Sequence, residues 1–212
     1  MSFLQRRKTL LKKKKGLIVV ISAPSGAGKT TLLKRLLQTS PSFTPSVSFT
    51  TRSSRKNEIE GVDYYFVSPE EFQKIRQEGK FVEWAQVHGQ LYGTSINFLN
   101  EAIKAEKDVI LEVDVKGGTQ IKKRYPQAVL IFLLPPSWQE LQRRLGNRAT
   151  EETKKTRERI QRAKKEIMYI PSYDYVVVND DINKALDDLL AIIGAERCRI
   201  NKVSPEDFKK LT

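Results

Sequence analysis

The strongest constraint on the fold lies between Leu17 and Leu37. Leu17, Ile18, Val19, Val20 and Ile21 form an apolar, β-branched run without polar alternation, the pattern of a strand buried on both faces of a parallel sheet. Residues 22–31 are rich in glycine and small polar side chains, and Leu32, Leu33, Leu36 and Leu37 then recur at helical spacing. The order is strand, glycine loop, helix. Three further apolar runs follow. Residues 109–113 end at Asp114 and an expected Gly117-Gly118 turn, 129–134 are stopped by Pro135 and Pro136, and 176–178 end at Asn179, Asp180 and Asp181. Helical patterns lie between and after them, near 95–105, 119–124, 137–144, 150–169 and 182–193. Strands alternating with helices predict an α/β, three-layer fold with a mostly parallel central sheet flanked by helices.

The loop itself is specific. Ala23, Pro24, Ser25, Gly26, Ala27, Gly28, Lys29 and Thr30 nearly match the pattern G-x-x-x-x-G-K-[ST] of a phosphate-binding P-loop, with Ala23 in place of the first glycine. Gly26 and Gly28 permit backbone conformations that turn successive N–H groups towards phosphate oxygens. The helix that starts near Lys29 points its positive end at the same anion. Lys29 supplies a mobile cation and Thr30 a hydroxyl for Mg²⁺. An alanine fits at position 23 if its backbone is ordinary. The expected ligand is a nucleoside triphosphate, held by residues 23–30 and Thr31.

Residues 45–93 break the α/β rhythm with short alternating apolar pieces around one helix. Ser68, Pro69 and Glu71 mark its start as a capping serine, a first-position proline and a glutamate three residues on. This stretch reads as a small, mostly antiparallel insertion. Arg52 and Arg55, with Tyr64 and Tyr92, are suited to clamp a second phosphate. Glu83, between Val82 and Trp84, offers two acceptor oxygens that match the adjacent N1–H and N2–H donors of guanine and not the edge of adenine.

At these residues the chain resembles the guanylate kinase family from about residue 17 to 193. The motifs that carry the likeness are the P-loop, Ser48-x₃-Arg52-x₂-Arg55-x₂-Glu58, Gly61-x-Asp63-Tyr64, Phe81-Val82-Glu83-Trp84, Tyr92-Gly93-Thr94, Glu112-x-Asp114 and residues 176–181. The resemblance implies that Ser48, Glu83 and Thr94 read guanine, with Thr94 keeping the hydroxyl of the usual serine. It implies that Arg52, Arg55 and Tyr92 hold the GMP phosphate with Tyr64 and Glu58, and that Asp114 organises Mg²⁺ or the acceptor nucleotide. Arg144, Arg148 and Arg159 fall where the family's lid sends arginines to the transferring phosphoryl group, Arg148 and Arg159 more faithfully than Arg144. Ala149 replaces the glycine usual after the arginine. Asn179 is placed near the adenine of ATP. The implied reaction is transfer of the γ-phosphoryl group from ATP to GMP, and to dGMP, with Mg²⁺ as cofactor. The alternatives are an inactive guanylate-kinase-like module that binds phosphorylated peptides, or a P-loop kinase for another phosphorylated acceptor.

Bland readings stand beside these. Lid arginines can pair along their own helix, with Glu152 or Glu158. Glu112 is either a partner for a basic residue or part of the site. His88 reads as a hairpin residue, Cys198 as an inert thiol, and Trp84 and Trp138 as packing residues. One cysteine and one histidine leave no ligands for a zinc centre or a disulfide framework. No apolar stretch of membrane-spanning length occurs, and residues 1–15 lack the apolar core of a secretory signal. A cytoplasmic enzyme, monomeric or homodimeric and independent of membranes, is expected. The net charge of +13 is concentrated in residues 1–15 and 139–166, so nucleic acid is a partner only through the basic tail. The expected organisation is a tail at 1–15, a domain at 16–194 and a tail at 195–212. Within the domain the core is 16–46 and 95–194, the GMP-binding insertion about 47–94 and the helical lid about 137–165.

Overall fold

A computed structural model describes residues 16–87, 89–147 and 153–199. The expected basic tail, His88, Arg148 and the end of the chain from residue 200 lie outside the described residues. At the centre is β1 (Ile18–Ser22), buried along its whole length. It is the middle of a five-stranded sheet in the order β2 (Phe43–Pro45), β7 (Asp108–Glu112), β1, β8 (Val129–Leu134), β9 (Tyr175–Val178), with every pairing parallel. Alternate residues of β1 serve opposite faces. Val19 and Ile21 pack with Leu32, Leu33 and Leu36 of α1 (Lys29–Thr39) and with Leu189 and Ile193 of α7 (Ile182–Glu196). Ile18 and Val20 pack with Ile96, Leu99 and Ala102 of α3 (Ile96–Lys104) and with Ile121 of α4 (Val115–Arg124). The three layers are those the alternation of strands and helices predicts. The short edge strand β2 has no apolar run to announce it.

Two glycines depart from the sequence reading. Gly117 and Gly118 do not form a turn. They sit in the first turn of α4, which begins earlier than expected because Asp114 caps it by accepting from the Gly117 N–H at 2.8 Å. Their lack of side chains serves close approach instead. A Cβ on Gly118 would stand 2.6 Å from the Tyr173 hydroxyl, and one on Gly117 2.6 Å from Glu83 Oε2.

The second sheet has the order β4 (Tyr64–Phe66), β3 (Ser48–Thr50), β6 (Gln90–Ser95), β5 (Phe81–Val87). Its β3–β6 and β5–β6 pairs are antiparallel and its β3–β4 pair is parallel. Helix α2 (Pro69–Gln77) starts as the sequence signals, with Ser68 Oγ accepting from the Glu71 N–H at 3.1 Å. The helix seals the sheet with Phe72, whose ring lies 4.6 Å from that of Phe81, and Phe81 in turn lies 5.6 Å from Phe49. Trp84 does not join this core. It is 38% exposed, with the Arg76 guanidinium 4.6 Å over its ring. Helices α5 (Trp138–Asn147) and α6 (Thr153–Ile167) pack on each other through Leu141, Leu145 and Ala163.

Gly93 of β6 lets the Phe72 and Phe81 rings close over the strand, since a Cβ there would meet both at 3.0–3.1 Å. Gly93→Val is expected to cost about 1–3 kcal/mol by overpacking, read as a lowered midpoint in urea. An unchanged midpoint would show that the aromatic cluster yields freely.

Candidate active site

The C-terminal ends of β1 and β7 lie side by side, with Ile21 paired to Glu112. Ligands of open α/β sheets bind at such strand ends, and here the P-loop leaves β1 and turns into α1. Gly26 and Gly28 adopt φ of 91° and 90°, backbone that side-chain-bearing residues rarely take. Glu106 is the one non-glycine residue with positive φ among the described residues, so Ala23 has ordinary backbone and its methyl is tolerated. The loop is held from behind. Asn179, buried at the end of β9, donates from Nδ2 to the Ala27 carbonyl at 2.7 Å, and a Cβ on Gly28 would stand 2.4 Å from that nitrogen. Gly26 packs on Leu141 and Leu145 of α5, and Arg159 of α6 donates to Ser25 Oγ at 2.9 Å.

At the start of α1, Lys29 Nζ donates to the Val113 carbonyl at 3.2 Å and lies 3.7 Å from Glu112 Oε1. The Thr30 hydroxyl donates to the same Glu112 oxygen at 3.3 Å. Glu112, left open by the sequence, therefore belongs to the anion site as a half-exposed counter-charge. Hard oxygen donors at Thr30 and Glu112, with the Asp114 carboxylate nearby on α4, suit Mg²⁺ that keeps several waters and phosphate ligands. No cluster of three or more acidic, histidine or cysteine side chains makes a protein-only metal cage among the described residues.

Across a cavity of about 360 Å³ from the P-loop stand Ser48, Tyr64, Glu83 and Tyr92 of the insertion. Glu83 is 4% exposed and accepts from the Thr94 hydroxyl at 2.5 Å through Oε1. A β-bulge between Phe81 and Glu83 puts it there. The bulge makes three successive residues of β5 buried, where simple alternation would turn one of them to water. Burial pushes the Glu83 carboxyl up to about 7, against the lowering effect of its Thr94 hydrogen bond.

Glu58 organises the arginines expected to clamp the second phosphate. The Arg52 guanidinium pairs with it through both terminal nitrogens, at 2.9 and 2.8 Å, and lies 5.2 Å over the Tyr64 ring. Glu58 also accepts from the Arg55 backbone N–H at 2.8 Å. The side-chain hydrogen bonds between Arg52 and Glu58 raise the Arg52 pKa and, with the Arg55 N–H, hold the Glu58 carboxyl below the usual range. Glu58, implied by the resemblance to hold the GMP phosphate together with Arg52, is the ion-pair partner of Arg52 in the structure. The Arg55 side chain is exposed.

Asn179, placed near adenine by the resemblance, holds the P-loop backbone through Nδ2 in the structure. Arg144 takes the bland course with a different partner: it pairs with Glu140 at 2.8 Å. Sequence reasoning missed Arg162 and Glu166 of α6, which line the same cavity. Arg162 donates to Glu166 Oε1 at 2.9 Å and stands 4.0 Å from Asp114 Oδ2. Their only signal was the charge density of the helix.

A family model described as guanylate kinase matches residues 15–196. The chain is 50% identical over 197 residues to a guanylate kinase of Myxococcus xanthus, covering 92% of this chain and 93% of that one. It is 46% identical over 191 residues to a guanylate kinase of Geobacter metallireducens, covering 90% and 94%. The crystal structure of guanylate kinase from Anaplasma phagocytophilum superposes with a TM-score of 0.77 at 33% identity, covering 93% of this chain and 94% of that one. With a P-loop and a buried carboxylate facing each other across one cavity, and with likeness along nearly its whole length, the chain belongs to the guanylate kinase family.

Proposed function

We propose that the protein transfers the γ-phosphoryl group of ATP to GMP, and to dGMP, giving ADP and GDP, with Mg²⁺ as cofactor. The observation that carries this reading is that one cavity is lined both by Lys29 and Thr30 of the P-loop and by the buried Glu83 carboxylate. A carboxylate is a poor neighbour for phosphate and a good one for the N1–H and N2–H of guanine, so it assigns the acceptor's base and not its phosphate. Ser48 and Thr94 supply hydroxyls beside it.

The acceptor's phosphate oxygen is already ionised and needs no general base. It attacks the γ-phosphorus in line, the bond from that phosphorus to the β–γ bridging oxygen breaks, and ADP leaves with the electron pair. What remains for the protein is positioning and charge neutralisation. The P-loop N–H groups and Lys29 hold the donor phosphates, with Lys29 turning from the Val113 carbonyl to the ligand. Arg52, backed by Glu58, and Arg55, with Tyr64 and Tyr92, hold the acceptor phosphate. Arg159, at Ser25, is poised to reach the transferring group, and Arg148 joins it in the same role. Thr30, Glu112 and Asp114 are the residues that would hold Mg²⁺, which when bound would supply charge neutralisation at the transferred phosphate. Closure of the helical lid over both nucleotides excludes water, which otherwise competes as acceptor. No helix among the described residues is long and apolar enough to cross a membrane, consistent with nucleotides taken from aqueous solution.

ADP release should require GMP or dGMP and fail with AMP, CMP, UMP or no acceptor. Lys29→Ala should lower kcat at least about 100-fold while the melting temperature holds. Release without an acceptor would make the protein an ATPase and remove the reading. Near-normal turnover by Lys29→Ala would remove Lys29 from its role.

The pH dependence has a definite sign. Guanine needs the ionised form of Glu83, whose pKa is raised to about 7, so the competent fraction grows as pH rises through neutrality. The KM for GMP should fall about tenfold between pH 6 and pH 8 and level off above. The GMP phosphate itself ionises near pH ~6. Glu83→Gln should therefore keep only the roughly twofold change that the phosphate contributes between pH 6 and pH 8 and lose the roughly tenfold change that the carboxylate contributes. Parallel profiles for wild type and variant would contradict the assignment.

A further inference from the structure

Glu83 is seated against a residue that has no side chain of its own. Thr94 holds one carboxylate oxygen at 2.5 Å. The other lies against the first turn of α4, where a Cβ at position 117 would stand 2.6 Å from Oε2, 3.2 Å from Glu83 Cδ and 3.2 Å from Val113 Cβ. The backbone cannot retreat to make room. One residue along β5, the Trp84 N–H donates to Gln120 Oε1 at 3.3 Å, and Gln120 Nε2 donates back to the Trp84 carbonyl at 3.2 Å. This two-way clip ties α4 to β5 beside the carboxylate. The first turn of a helix does not require glycine, and the close approach of Glu83 is the reason the structure shows for the absent side chain at 117.

We propose that Gly117 is a positioning residue for base recognition: its missing side chain leaves the space in which the Glu83 carboxylate sits against α4 and faces guanine. This rests on the reading of Glu83 as the guanine acceptor. A methyl at 117 forces the carboxylate to rotate off Thr94 or into the cavity, and in either position it no longer matches the two guanine donors. The loss falls on base discrimination, not on phosphate chemistry, because Lys29, Arg52 and the P-loop are untouched.

The test compares wild type, Gly117→Ala, Glu83→Gln, Glu83→Ala and the double variant Gly117→Ala/Glu83→Ala, with GMP and with inosine monophosphate, which lacks the 2-amino group. Gly117→Ala is expected to lower kcat/KM for GMP at least about tenfold and to shrink the preference for GMP over inosine monophosphate by a similar factor. Its KM for ATP should stay within about twofold, the size of change expected when no donor contact is lost. Retained discrimination in Gly117→Ala, when Glu83→Gln has lost it, overturns the role of Gly117. Retained discrimination in Glu83→Gln overturns the reading of Glu83 itself. Thermal unfolding decides the matter even if Gly117→Ala folds poorly. In the Glu83→Ala background the added methyl meets no carboxylate and should leave the melting temperature equal or higher. A drop as large as in the Glu83-containing chain would place the clash elsewhere and overturn the proposal.

Discussion

A carboxylate held almost entirely out of water is costly to keep, and much of the insertion is arranged around Glu83. Water would stabilise the Glu83 anion far better than a protein interior does. The site answers with a hydroxyl at 2.5 Å, a bulge that turns the side chain inward and a glycine that lets it lie flat on a helix. The group is left half-committed, with a pKa raised to about 7. The neutral acid is therefore favoured below about pH 7. On the proposed function, guanine, with two N–H donors, supplies what the interior withholds. Recognition of the base then amounts to completing a carboxylate's missing hydrogen bonds.

At the other side of the cavity the problem is reversed. Phosphates bring negative charge, and the strand ends of β1 and β7 meet it with backbone N–H groups, Lys29 and the start of α1. The carboxylate of Glu112 keeps Lys29 and Thr30 in place at 3.7 and 3.3 Å before any nucleotide arrives. Glu58 does the same for Arg52. Cations pre-set by carboxylates lose less freedom on binding an anion. The loop's shape depends on Asn179, which joins β9 to the P-loop from the far side of β8.

The strand, glycine loop and leucine helix were legible in the sequence because their signals are local: a β-branched run, two glycines at fixed spacing and a stripe of leucines. The same holds for Ser68 and Pro69 at the start of α2. Gly117 and Gly118 misled because a glycine pair after a strand resembles a turn. The competing signal, Asp114 three residues before Gly117, is that of a helix cap. The contacts of Asn179 and Glu58 were not legible, for another reason. Their partners, the Ala27 carbonyl and the Arg52 guanidinium, are fixed by tertiary packing and by a loop, and no periodicity reports them. Trp84 alternates with buried residues on β5, yet its neighbour Glu83 follows a bulge, so the strand's in-and-out order could not be counted from the sequence.

The account stands or falls on Glu83 giving up a proton to receive guanine. GMP binding measured by calorimetry at pH 6.5, in buffers of different ionisation heat, counts that proton directly. With a pKa of about 7, wild type should release about three quarters of a proton more than Glu83→Gln, since the phosphate and the arginines contribute equally to both. Equal proton release by the two proteins would contradict it.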